Sequence, residues 1–209
     1  MSSYLTLKTS IEHEIEVRRS RFVCAVAPAG SVGEAQAFIA RRRALHAGAT
    51  HNCSAYVIGE RVAKGDDDGE PGGTAGTPMV QALVGRGFSD VVAVVTRYFG
   101  GVLLGAGGLV RAYGGAVTET LDRALDRGEV VRMVPARLVR VWVSHDLAGR
   151  VENGLRASRY AVREVVYGAR VCLTVAVGAD EVGVFRGWVA SLTAGRVEVS
   201  EGEWVSVPG

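Results

Sequence analysis

Two α+β domains are predicted for this 209-residue chain, one over residues 1–135 and one over 136–209. Three observations predict them. Strand-period and helix-period segments alternate along the whole chain, the segments after Pro135 follow the order βαββαβ, and glycine is concentrated in the middle of the first part.

The first domain opens with Ile11 to Val17, where Ile11, His13, Ile15 and Val17 alternate with Glu12, Glu14 and Glu16. That is the pattern of a half-buried strand. Beyond the basic Arg18, Arg19 and Arg21, the run Phe22–Ala27 reads as a second strand, closed by Pro28 and Gly30. Ser31 followed by Glu34 forms a capping-box signature. The helix it opens places Ala35, Phe38, Ile39 and Leu45 on one face, and Arg41, Arg42 and Arg43 around the rest. Cys53–Ile58 is a strand, with Arg61–Lys64 set to pair with it across Gly59 and Glu60. Gly65 to Gly76 is a surface loop of Gly, Asp, Pro and Thr without apolar period. Thr77 and Pro78 read as N-cap and first residue of a short helix reaching Leu83. The apolar run Val91–Val95 predicts a strand covered on both faces. The loop Phe99–Ala106 leads into a long helix from about Gly107 to Asp126, ended by Gly128.

In the second domain Val139–Val143 is a strand and Asp146 caps a helix carrying Leu147, Val151 and Leu155. Ala161–Val166 and Arg170–Val177 form a hairpin. A helix from Asp180 to Leu192 and a strand from Arg196 towards Val205 complete the order, which is that of a ferredoxin-like domain.

Composition narrows the function classes. Hydrophobic residues make up 48% and charged residues 22%, as in ordinary globular proteins. No uninterrupted apolar stretch is long enough to span a membrane. Met1 to Glu12 lacks the pattern of a secretory signal, so a cytoplasmic location is expected. Cys24, Cys53 and Cys172 are far apart, and none has metal-ligand spacing; they read as buried free thiols, and no motif calls for a cofactor. Net charge is +2, and the two parts carry 15 basic against 14 acidic and 9 against 8 residues. A polyanion must therefore be met by a local basic face, since bulk attraction is weak.

Fifteen of the 28 glycines fall between Gly59 and Gly115. Gly100, Gly101, Gly105, Gly107 and Gly108 join a buried strand to a helix amino terminus, where unpaired amides and the helix dipole favour an anion. Arg97 and Arg111 flank this loop, and Lys64 adds a further cation for phosphate. Tyr98 and Phe99 are aromatic neighbours of the kind that stack on bases; Phe99 is expected in the core and Tyr98 outside. The alternative is a tight turn with close helix packing, as expected for Gly114 and Gly115. Neither the dinucleotide nor the P-loop spacing is present. The second candidate is the acidic run Asp66, Asp67, Asp68 and Glu70, with His51 and Asn52 at a strand edge. Its carboxylates suit Mg²⁺ binding or acid–base work, but lack EF-hand spacing; the alternative is a solvated loop.

Four blocks, EVRRSRF (16–22), ATHNCSAYVIG (49–59), DDGEPGGTAGTPM (67–79) and VVTRYFGGVLLGAGGLVRAY (94–113), resemble the signatures of the YigZ/IMPACT family. The resemblance implies a first domain like the second domain of ribosomal protein S5 and a second like the last domain of elongation factor G. Both of those contact RNA on the ribosome. The eukaryotic IMPACT protein is implicated in translational control; its extra amino-terminal interaction domain has no counterpart in these residues, so that partnership does not transfer. No catalytic residue comes with the family. The expectation is thus a noncatalytic, translation-linked protein that binds RNA or the ribosome, with a protein partner as a further option. The rival is a Mg²⁺-dependent hydrolase or phosphotransferase using His51, Asp67, Asp68 and Glu70.

Overall fold

A computed structural model of the chain describes residues 2–209, which divide into two compact units: Tyr4–Arg132, and Met133–Gly209 together with residues 2–3. Both mix helix and sheet, so the fold is α+β.

In the first unit, β1 (Tyr4–Leu7) precedes β2 (Ile11–Val17), β3 (Ser20–Pro28), α1 (Val32–Leu45), β4 (His51–Ile58), β5 (Val62–Asp66), α2 (Gly76–Gly85), β6 (Val91–Tyr98) and α3 (Ala106–Asp126). The second strand through the fifth and β6 make one sheet in the order β2-β3-β6-β4-β5, with every pair antiparallel. Side chains alternate between its faces. Phe22, Cys24, Cys53, Ala55, Val91, Ala93 and Val95 turn to one face and pack with α2 and α3. Ala27, Tyr56, Val92 and Val94 turn to the other and pack with Ala35 and Ile39 of α1. Both faces of β6 are thereby covered, which is why its sequence is an unbroken apolar run. Tyr4–Leu7 lacks a clear period, and its strand escapes a reading of the sequence. It is held by backbone bonds from Leu5 N to Gly87 O and from Lys8 N to Glu129 O, both 2.8 Å.

Local chemistry sets the element ends. Ser31 Oγ accepts from Glu34 N at 3.2 Å, and Glu34 Oε2 accepts from Gly30 N at 2.8 Å, which caps α1 as the sequence suggests. The start of α2 differs from expectation. Its N-cap position is Ala75, not Thr77, and the cap comes from a distant side chain: Asp67 Oδ1 accepts from Ala75 N (2.9 Å) and Gly76 N (2.8 Å). Likewise α4 (His145–Arg156) has Ser144 at its N-cap position, and Asp146 lies in its first turn, where its negative charge favours the helix dipole.

The second unit carries β7 (Val130–Val143), α4, β8 (Ala161–Tyr167), β9 (Val171–Gly178), a 3-10 turn (Ala179–Glu181), α5 (Val182–Thr193) and β10 (Glu198–Pro208). The strand order β10-β7-β9-β8, all antiparallel, gives the ferredoxin-like arrangement. Val139, Val141, Leu173 and Val175 meet Leu147, Val151 and Leu155 of α4 and Phe185 and Val189 of α5 in its core.

Candidate nucleic-acid interface

Antiparallel register places His51 opposite Arg97, and Arg97 opposite Phe22, in one row at the end of the sheet that faces α3. Into this row comes Glu70, buried like Arg97 (side chains 3% and 6% exposed). Arg97 Nη1 donates to Glu70 Oε1 at 2.7 Å, and Tyr113 Oη of α3 donates to the same oxygen at 2.7 Å. The guanidinium lies over the rings of Phe22 and Phe99, each 5.5 Å from the centroid. His51 Nδ1 is 2.8 Å from the carbonyl of Asp68, so that nitrogen carries the proton and donates. Its Nε2 stands 3.9 Å from Glu70 Oε2. Burial pushes the Tyr113 phenol upward and the thiols of Cys24 and Cys53 up to about 12, so these groups stay protonated near neutrality.

This cluster decides what the acidic loop does. Asp67 accepts from Gly73 N, Ala75 N and Gly76 N, and Asp68 Oδ2 accepts from Asn52 N at 2.6 Å. Burial pushes the Asp67 carboxyl upward, but the three amides outweigh it and hold it below the ordinary carboxylate value. Arg43 of α1 reaches Asp68 at 3.2 Å and Asp66 at 3.6 Å. The carboxylates are wired into backbone and ion pairs rather than converging on a point. Among the described residues no group of three His, Cys, Asp or Glu side chains is placed to hold a metal ion.

The glycine-rich loop has the opposite character. Gly100 lies so close to the backbone of Arg19 and Ser20 that any Cβ there would collide with the Arg19 carbonyl, and Gly100 N donates to Ser20 Oγ at 3.2 Å. The loop is thereby pinned to the β2–β3 turn. Gly101, Gly105 and Gly107 are open to solvent, as is Arg111, while Gly108 packs on Leu104. The N-cap of α3 is Gly105 and offers no capping side chain, so the first amides of the helix have no side-chain partner there. Beside it runs a groove of about 200 Å³ between β2 and α3, lined by Ile15, Val17, Leu104, Ala112, Gly115 and Glu119, with Arg18 and Arg111 in its wall. Arg18, Arg19 and Arg111 make no ion pair among the described residues.

The site residues expected from sequence are therefore divided. Arg111 and Gly105, Gly107 and Gly108 stay together near the surface, joined by Arg18. Arg97 lies in the interior, paired with Glu70. Lys64 projects from the opposite face of the sheet, towards α1, as does Tyr98, whose hydroxyl is 2.8 Å from His46 Nδ1. Phe99, expected in the core, is 45% exposed because the chain leaves the sheet there and its ring lies over Arg97 from outside. A Cβ at Gly114 would meet Pro78 of α2 at 3.7 Å, so this position faces a packing contact; Gly115 opens into the groove instead.

The model of the Impact N-terminal domain matches residues 18–121, and that of a domain of unknown function, DUF1949, matches residues 141–196. YvyE of Bacillus subtilis, described as an IMPACT family member, is 44% identical over 205 residues, covering 97% of this chain and 93% of its own length. The chain belongs to the IMPACT family. YigZ of Escherichia coli, a family member by description, is 36% identical over 204 residues, covering 95% of this chain and 98% of its own. A crystal structure described as that of a hypothetical protein superposes with a TM-score of 0.72 at 35% identity, covering 97% of this chain and 98% of the other.

The Impact N-terminal match begins at Arg18 and ends at Leu121, so it takes in the α3 wall of the groove with Arg18 and Arg111, the acidic loop and the buried cluster, while Ile15 and Val17 of the β2 wall precede it. Two members of that cluster escape sequence reasoning. Tyr113 sits in the apolar period of α3 and reads as core, and nothing local assigns its hydroxyl to Glu70. Ser20 reads as a turn residue, yet it is fully buried between Gly100 N and Arg97 Nη2. No helix among the described residues is long and apolar enough to cross a membrane.

Proposed function

We propose that this IMPACT family member is a noncatalytic, translation-linked protein that binds RNA, free or within the ribosome, through the groove between β2 and α3. The observation that carries this reading is the pair of guanidinium groups of Arg18 and Arg111, without an ion pair among the described residues, in the groove beside the uncapped start of α3. Guanidinium forks meet phosphate oxygens bidentately, and helix-terminal amides add neutral donors. Phe99 and Leu103, 45% and 81% exposed, supply apolar surface on which an unpaired base can rest. Arg18 and Arg19 support a functional reason for the turn. Both adopt positive φ (47° and 67°) in a two-residue hairpin connection where Asn-Gly is far easier.

The test is fluorescence anisotropy with a short single-stranded RNA over a salt series. Each phosphate met contributes about −0.7 to the log–log slope. Replacing Arg18 and Arg111 by alanine flattens that slope, whereas Lys64→Ala, on the other face of the sheet, leaves it unchanged. No binding at low salt removes the proposal.

A further inference from the structure

On the face of the sheet away from the groove, a second concavity of about 290 Å³ lies between α1 and the last strand, β5. Its apolar floor is Ile39, Ala40 and Tyr56; Gln36 and Ser54 add polar atoms, and Arg43 and Lys64 give it a basic rim. The strand beside it is the edge of the sheet, paired to β4 alone, and all five of its residues are exposed. An open edge presents a row of backbone donors and acceptors to any extended chain. Natural edges are usually blunted by proline, by a bulge or by a covering element. Here the register with β4 is regular from Ser54↔Asp66 to Ile58↔Val62, and Val62–Asp66 contains no proline. Its charged residues are Lys64 and Asp66, and Lys64 on an edge repels basic or purely apolar strands and favours acidic ones.

Charge points the same way. Lys64 and Arg61 make no ion pair among the described residues. Asp66, the one carboxylate among the residues lining the cleft, is engaged by Arg43 at 3.6 Å, and Arg43 also reaches Asp68 at 3.2 Å, so Lys64 is the lining cation left without an ion pair. The Arg43 Nε is buried with no hydrogen-bond partner. An occupant with carboxylates four residues apart, and one apolar side chain midway between them, meets the rim and the floor at once, because alternate residues of a strand share a face.

We propose that this cleft is a docking site for an extended acidic peptide, which adds to the free edge of β5 and lays every second side chain beneath α1. Backbone pairing supplies the attachment and the pocket supplies the selection. The site is independent of the RNA groove, shares no residue with it, and stands or falls separately.

The probe is a capped octapeptide of threonines whose second, fourth and sixth residues are glutamate, valine and glutamate, read by ¹H–¹⁵N chemical shifts and anisotropy on the full chain. The expected result is saturable shifts at Val62–Asp66, Ile39, Ser54 and Tyr56. The version with lysines in place of the glutamates binds at least tenfold more weakly. Methylating every second backbone nitrogen of the peptide abolishes binding in one of the two alternate phases. Ala40→Phe, at an exposed helix position, fills the cleft and weakens binding at least tenfold, while the spectrum elsewhere shows that the fold is kept. Lys64→Glu reverses the preference between acidic and basic probes. No shift at β5, equal binding of both methylated phases, or equal binding of the basic probe overturns the proposal. So does a concentration-dependent dimer joined through β5 that excludes the peptide, which assigns the edge to a second copy of this chain.

Discussion

The acidic loop before α2 and the loop before α3 are both rich in glycine and opposite in use. Both follow a strand of the same sheet and lead into a helix. In the first, an internal side chain takes the free amides of the coming helix: Asp67 caps α2, and Glu70 is drawn into the interior between Arg97 and Tyr113. In the second, no side chain caps α3, and the nearest cations remain unpaired. A helix start that has its carboxylate already is a piece of structure. One that lacks a carboxylate, and is ringed by arginine, is left for an anion from outside.

That contrast is open to attack, most severely at Glu70. Removing it as Glu70→Ala strands the Arg97 charge in the interior, and the expected loss is about 3–5 kcal/mol of unfolding free energy by urea titration. Replacing both partners, Arg97→Met with Glu70→Gln, is expected to cost less than Glu70→Ala alone, since no unpaired charge is then buried. If Glu70→Ala unfolds like the wild type, the inward wiring of the first loop is mistaken.

Asp67→Asn comes next, at about 1–3 kcal/mol, because the amide replaces a charged acceptor serving three amides. The dependence on pH has a defined sign. The folded carboxyl is held below its unfolded value, so its stabilisation is complete above that value, about pH 4, and is lost as pH falls through the folded one. The gap in urea midpoint between wild type and Asp67→Asn therefore narrows on acidification. A gap independent of pH rules out the charge as its source.

At the second loop the expected signs separate. Arg18→Ala with Arg111→Ala changes stability by less than about 0.5 kcal/mol, since both groups are exposed and unpaired. The same pair lowers the RNA salt slope by about 0.7 for each phosphate that is no longer met. The smallest effect is a gain. Converting the β2–β3 turn to Asn-Gly, as Arg18→Asn with Arg19→Gly, relieves positive φ at two non-glycine residues and raises stability by up to about 1 kcal/mol, while weakening RNA binding. Unchanged RNA affinity in this variant breaks the link between the strained turn and function.

Much of the fold is legible in the sequence because periodicity is local. Ile11–Val17, the Ser31 cap, the Val91–Val95 run and the long apolar stripe of α3 each announce an element within a few residues of its bounds. Tyr4–Leu7 is not legible, since its pairing is with residues more than eighty positions away. The start of α2 is hidden for the same kind of reason: Thr77-Pro78 looks like a local cap, but the acceptor is Asp67, eight residues before Ala75.

What the sequence determined by itself was the α+β class, the family blocks and the two loops worth attention, because strand alternation, helix period and glycine density are properties of neighbouring residues. What only the tertiary structure decided was the fate of each charge in those loops. Arg97 and Arg111 are equally basic in the sequence, yet one is buried against Glu70 and the other stands open beside Arg18. Burial and ion pairing depend on residues brought together from distant positions, and no local pattern carries that information.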